Sequence, residues 1–170
     1  MTVRLIVSPL SQLDATWRMH QPSHVIGMLS PTSVHPVLDG HAAAQRLILE
    51  FHDINVAQEG LTAPDLAMVS SLIEFAQKWD GDAPLLIHCW AGISRSTAAA
   101  FIAACTRAPH VAEGDIADQL RAASRMATPN RLMVELADGL LGRDGRMVEA
   151  VDRIGRGDDA AEGVVFELRV

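Results

Sequence analysis

The chain has 170 residues, 49% of them hydrophobic and 21% charged, with a formal net charge of −7 at pH 7. That length and apolar content suffice for one compact core without cross-links. The acidic balance, with no basic stripe, argues against nucleic acid and anionic membrane surfaces as partners.

Two cysteines make no disulfide framework, and no apolar run approaches a membrane span. The segment 1–9 reads as a strand-like start, too short in apolar length for a signal peptide. The expectation is a cytoplasmic protein in a reducing compartment. Of the 14 basic residues all but Lys78 are arginine, and with the alanine excess this composition fits a GC-rich bacterial genome.

In chain order, residues 3–7 read as a strand and 11–20 as a helix begun by Ser11. Residues 24–28 read as a second strand, 30–41 as a Pro- and Gly-rich loop, and 47–51 as a third strand. The connection 53–61 contains a glycine. Thr62-Ala63-Pro64-Asp65 then looks like a helix start, with Thr62 as cap and Pro64 in the first turn. Leu66, Val69, Ile73 and Ala76 recur at helical spacing, so one face of a helix over about 63–79 is buried.

The apolar run 84–87, entered through Gly81-Asp82, reads as a buried parallel strand. From Arg95 the chain is helical, and 97–105 is nearly all Ala, Ile and Phe, small enough to lie close against a sheet. Further helices are expected at about 112–125, 131–141 and 146–154. Gly139, Gly142 and Gly145 read as a helix end and turn. Residues 156–162 are polar and expected to be flexible. Residues 164–170 read either as a stray strand or as a dimer contact, and there are no internal repeats. The pattern implies an α/β fold: a mostly parallel central sheet with helices on both faces and a helical C-terminal half. The domain is expected to span 1–155, with 156–170 as a polar tail.

The chemistry concentrates in Ile87-His88-Cys89-Trp90-Ala91-Gly92-Ile93-Ser94-Arg95-Ser96. A cysteine and an arginine stand six positions apart in a Gly-containing loop between a strand and a helix. Such a loop can turn successive N–H groups toward one point, where the helix presents the positive end of its dipole. A cysteine attacks as its thiolate, and loop amides, a helix N-terminus, the Arg95 guanidinium and a hydroxyl of Ser94 or Ser96 all favour that anion. The same donors suit a phosphoryl group. The amides of Trp90, Ala91, Gly92, Ile93 and Ser94 would take one oxygen and the planar fork of Arg95 two more. Gly92 allows backbone angles closed to residues with a Cβ. The Trp90 side chain reads as packing behind the loop. Cys105, within the apolar helix, reads as a small buried hydrophobe.

At His88, Cys89, Arg95 and Ser96 the chain resembles the cysteine-dependent protein tyrosine phosphatase superfamily, whose pattern is H-C-x5-R-S/T. Its Ala-Gly-x-Ser-Arg-Ser portion is most similar to small dual-specificity-type members. The resemblance implies that Cys89 forms a phosphocysteine, Arg95 clamps the phosphoryl oxygens, Ser96 helps the sulfur leave, and His88 orients the loop. It also implies an upstream aspartate as general acid and then base.

Asp53 is the favoured acid, because it follows a strand at the end where open α/β sheets bind ligands and lies 36 residues before Cys89. The family's Trp-Pro-Asp form is absent. Glu59 is the second choice, and Asp65 reads as structural. The Pro129-Asn130 pair matches one that often precedes the last helices of dual-specificity-type members. Asn130 either braces the phosphate loop through its carbonyls or simply caps a helix.

His35, Asp39 and His41 have ligand-type side chains, and His52-Asp53 resembles the doublet of metal-dependent phosphohydrolases. The helical half supplies only His110 as a further histidine, so no metal and no cofactor are expected. The reading is a phosphate monoester hydrolase, protein-tyrosine or dual-specificity in type, acting on a phosphorylated protein or a small phosphomonoester. The loop lacks lysine, which favours phosphotyrosine over phosphoinositide. Two alternatives stay open: an inactive phospho-binding module, and a rhodanese-like sulfurtransferase, whose loop is usually one residue shorter. Oligomeric state is not legible.

Overall fold

The computed structural model describes residues 2–39 and 45–170. Among the described residues, five strands form one sheet: β1 (Arg4–Pro9), β2 (His24–Leu29), β3 (Gln45–Glu50), β4 (Leu85–Cys89) and β5 (Phe166–Arg169). Their order is β3-β2-β4-β1-β5; the first four run parallel, and β5 is antiparallel to β1. Six α-helices accompany them: α1 (Leu13–His20), α2 (Leu66–Lys78), α3 (Arg95–Arg107), α4 (Glu113–Ala123), α5 (Arg131–Leu140) and α6 (Arg146–Ile154).

Strand alternation divides the core in two. Leu5, Val7, Ile26, Met28, Leu85 and Ile87 face a large cluster built with α2 to α6, whereas Ile6, Val25 and Leu86 face a small one with Leu13 and Trp17 of α1. Helices therefore cover both faces, five on one and one on the other. Because β2 and β4 are buried on both faces, they read as continuous apolar runs. α3 runs beneath the sheet centre, and its Ala98, Ala99, Ala100, Ala103 and Ala104 have no exposed surface. Their small side chains bring the helix close to β4, whose last residue is Cys89.

Several sequence-based boundaries shift. α2 begins at Leu66 rather than near 63, because Asp65 itself is the cap and its Oδ1 accepts the Met68 N–H at 2.8 Å. Ser11 caps nothing; it lies in a 3-10 turn (Leu10–Gln12), and its hydroxyl donates to Glu162. The tail is not a separate appendage, since β5 extends the sheet beyond β1, with Leu5 paired to Leu168 and Val7 to Phe166. Nor is 156–162 free of the body. The Gly157 N–H donates to Thr128 Oγ1, the Asp158 N–H to Arg125 O, and the Gly163 N–H to Ala91 O at 2.8 Å.

Candidate active site

Residues 90–94 leave the end of β4 as a loop and enter α3 at Arg95. Its carbonyls are held outward, away from the centre of the loop. Trp90 O accepts from Leu10 N, Ala91 O from Gly163 N and Ile93 O from Thr128 N, while Ser94 O accepts from Ala98 N and Asn130 N. Thr97 Oγ1 also donates to Ile93 O and Ser94 O. With those oxygens engaged behind the loop, the peptide units present their N–H groups to its concave side, at the N-terminus of α3. Such a surface can hold an anion. Gly92 permits the turn. Its φ is +71°, and a Cβ there would stand 2.8 Å from Pro9 N, so both conformation and space require glycine.

Cys89 closes the bottom of this cradle. Its Sγ lies 3.1 Å from Ser96 Oγ, and the Gly92 N–H donates to it at 3.3 Å. Of the two serines the sequence offers for the sulfur, the structure brings Ser96 to it. Ser94 instead donates to Asp53 Oδ1 at 2.7 Å. The Arg95 side chain is 5% exposed and stacks over Phe51 with its Cζ 5.9 Å from the ring centroid. Nη1 donates to Phe51 O at 2.7 Å and approaches Ser30 Oγ at 3.4 Å, while the buried Nε has no partner among the described residues. A buried guanidinium with an unused donor beside a concave anion site is a ready phosphate ligand.

Asp53 follows β3 and lies on the rim, tied to the loop by Ser94 and also by Asn130, whose Nδ2 donates to the same Oδ1 at 2.9 Å. Of the two readings of Asn130, the structure shows the helix cap. Its Oδ1 caps α5 by accepting the Met133 N–H at 3.0 Å, and its backbone N–H reaches Ser94 O. The side-chain brace goes to Asp53 and Ile54 O rather than to the loop carbonyls. Asp65, at the start of α2, is occupied as a cap. Glu59 is exposed in the connection after Asp53, and its side chain has no hydrogen bond or ion pair to the loop among the described residues.

His88 is fully buried on the opposite side of β4 from Cys89 and presses against Gly27, where a Cβ would come within 2.6 Å of Nε2. Burial first, then the neighbouring charges of Arg46 and His35, lower its pKa to about 4, so the ring is neutral at physiological pH. Cys105 is buried within α3, and loss of solvation pushes its thiol up to about 12.

Trp90 departs from its sequence reading. It does not pack behind the loop; it is 66% exposed at the rim. The cavity above Cys89 has a volume of about 410 Å³, within the range of small-ligand sites. Leu29, Ser30, Ser33 and Asp53 line it along with the loop, as do Ala160 and Ala161 of the C-terminal segment. Sequence reasoning missed those two alanines, since nothing in a polar, glycine-flanked stretch announces that it folds back over residues 90–93. His41 lies outside the described residues. Among the described residues, no group of three or more His, Cys, Asp or Glu side chains is placed to hold a metal ion.

No family model and no curated protein sequence matches the chain. Solved structures do. The phosphatase domain of Yvh1 from Chaetomium thermophilum is similar with a TM-score of 0.60 at 13% identity, over 83% of this chain and 92% of that one. DUSP15 gives 0.57 at 18%, over 86% and 89%. PTPMT1, solved in complex with PI(5)P, gives 0.52 at 16%, over 81% and 90%. At these identities the likeness is one of fold: the chain is folded like these phosphatase structures.

Proposed function

We propose that the protein hydrolyses phosphate monoesters through a phosphocysteine, as a protein-tyrosine or dual-specificity phosphatase. The observation that carries this reading is a sulfur contacted by a hydroxyl and a loop amide, in a cavity also lined by a buried arginine with an unused donor. The Cys89 sulfur attacks phosphorus in line with the ester oxygen; the S–P bond forms and the P–O bond breaks. Asp53 gives its proton to the departing oxygen. Water then attacks phosphorus, Asp53 takes a proton from it, and the S–P bond breaks as Ser96 donates toward the sulfur. Arg95 and the amides of residues 90–95 neutralise charge on the non-bridging oxygens throughout. His88 acts at one remove, supporting the strand end from the far side.

The test is hydrolysis of a generic aryl phosphate by the wild type and by Cys89→Ser, with a chelator present and across pH 5 to 8. Activity that survives chelation and vanishes in the variant is expected. Chelator-sensitive activity, or turnover by Cys89→Ser, would overturn the mechanism. Retention of a phosphotyrosine peptide without hydrolysis by the wild type would make the protein a binding module instead. The lysine-free loop and the charge of −7 favour phosphotyrosine in proteins over phosphoinositide substrates.

A further inference from the structure

A second cavity of about 210 Å³ adjoins the phosphate pocket and shares Trp90, Ala91 and Ala161 with it; Leu10, Ser11 and Glu162 complete its walls. It is the volume of about seven liquid waters, room for one long side chain. Its walls are chemically unequal. Leu10, Ala91 and Ala161 form an apolar lining, Trp90 borders both cavities, and Glu162 supplies a carboxylate.

Trp90 is 66% exposed, whereas Trp17 and Trp79 are 2% and 1% exposed. Leaving the largest apolar side chain in water, at the lip of a reactive pocket, is what a recognition surface does rather than what folding requires. An indole face attracts a cation, a guanidinium above all. Glu162 lines the same cavity. Its Oε1 accepts from the Ser11 hydroxyl, and the next residue, Gly163, is pinned to Ala91 O. An aromatic face, a carboxylate and an apolar floor together match an arginine side chain, whose stem prefers apolar contact and whose head prefers both of the others. The overall charge of −7 also favours a cationic group.

Resting on the phosphatase reading above, we propose that this annex binds an arginine side chain next to the phosphorylated residue of a protein substrate, with Trp90 and Glu162 as the residues that select it. The shared wall requires that both side chains come from neighbouring positions of one peptide. The folded-back segment 160–162 thereby becomes a specificity element.

The experiment compares phosphotyrosine peptides that differ only in carrying arginine, alanine or leucine on either side of the phosphotyrosine. Activity on a generic aryl phosphate is measured in parallel. The arginine peptides are expected to show kcat/KM about fivefold above the alanine ones at low salt, in keeping with one exposed cation–π contact and one surface ion pair. That ratio should fall to about twofold in Glu162→Gln, where the cation–π contact alone remains, and shrink with added salt in the wild type. The arginine peptide should also shield the exposed Trp90 from iodide quenching more than the alanine peptide does.

Equal turnover of arginine and alanine peptides by an enzyme active on aryl phosphate, or a preference for leucine, would overturn the proposal and leave the phosphatase reading standing. An arginine preference that persists in both Glu162→Gln and Trp90→Ala would overturn it too. If aryl phosphate is not hydrolysed at all, the parent reading falls, and the quenching titration alone decides: a several-fold affinity ratio supports the annex, and equal affinities reject it.

Discussion

Two cysteines on one side of a single fold unit illustrate how position sets reactivity. Cys89 opens onto the cavity beside a hydroxyl and an amide, while Cys105 is sealed in α3 with its thiol pushed up to about 12 by burial. Iodoacetamide at pH 7 should modify the native protein once, at Cys89, with the second thiol reacting only after denaturation. Inorganic phosphate should slow that first reaction. Two equivalents in the native state, read by mass spectrometry, would contradict the assignment.

Asp53→Asn should lower kcat on aryl phosphate by about 10²- to 10⁴-fold. Asp65→Ala should leave kcat intact and cost about 1 kcal/mol in denaturant unfolding, the usual loss for a helix cap. Unchanged turnover in Asp53→Asn would move the acid role to Glu59. Cys89, Arg95 and Ser96 were legible because the loop's requirements are local in sequence. The tether of Ser94 to Asp53 was not, because it joins residues 41 apart and no spacing rule encodes it. The exposure of Trp90 was equally hidden. A tryptophan beside an apolar strand reads as core, and only the folded-back tail shows that its pocket lies outside.

At the scale of elements, alternation of apolar runs and helical spacing located the first four strands and all six helices to within a few residues. β5 was undecided for a physical reason. Its partner β1 lies some 160 residues away, and a four-residue edge strand carries too little pattern to specify one. The segment leading into β5 packs directly against the site loop. A Cβ at Gly163 would stand 3.0 Å from Gly92 O and 3.3 Å from Ala91 O, directly behind the loop that holds the reactive sulfur. Gly163→Val should therefore cost about 1 to 3 kcal/mol by overpacking. Because a displacement of about 1 Å in a positioned site can reduce rate by about 10²-fold, kcat should fall by at least about tenfold while secondary structure by circular dichroism is retained. Wild-type kcat in a folded Gly163→Val would show that the contacts from Leu10, Thr128, Asn130 and α3 hold the loop without it.

Over the whole molecule, two electrostatic effects oppose each other in mild acid, and their sizes decide the outcome. The sequence pI is about 5.4, so self-repulsion of a chain at −7 relaxes as pH falls from 7, which by itself would raise stability. The buried histidines act the other way. Burial lowers the pKa of His24, His35 and His88, in His88 to about 4, against an unfolded value near 6.5. A base held below its unfolded pKa is fully stabilising only above that value, because below it the unfolded chain takes up the proton first. His88 alone should cost about 2 kcal/mol by pH 5 and about 3 kcal/mol by pH 4. The carboxylates reinforce this lower down. Glu113 is held below its ordinary value despite burial, by a backbone hydrogen bond and by Arg146 and Arg143, and Arg131 and Arg169 depress Asp152 and Glu167. Depressed acids lose their contribution as pH falls through their folded values, so the buried histidines and these carboxylates act in the same direction. Charge relief over a surface in high dielectric is the weaker effect. The melting temperature should thus fall from pH 7 to pH 5 by roughly 4 to 8 °C, with no maximum near the pI. His88→Gln should flatten that slope whatever its absolute stability. A melting temperature at pH 5.5 equal to or above that at pH 7 would mean that the buried histidine is hydrated or paired in solution and that net charge governs the acid limb.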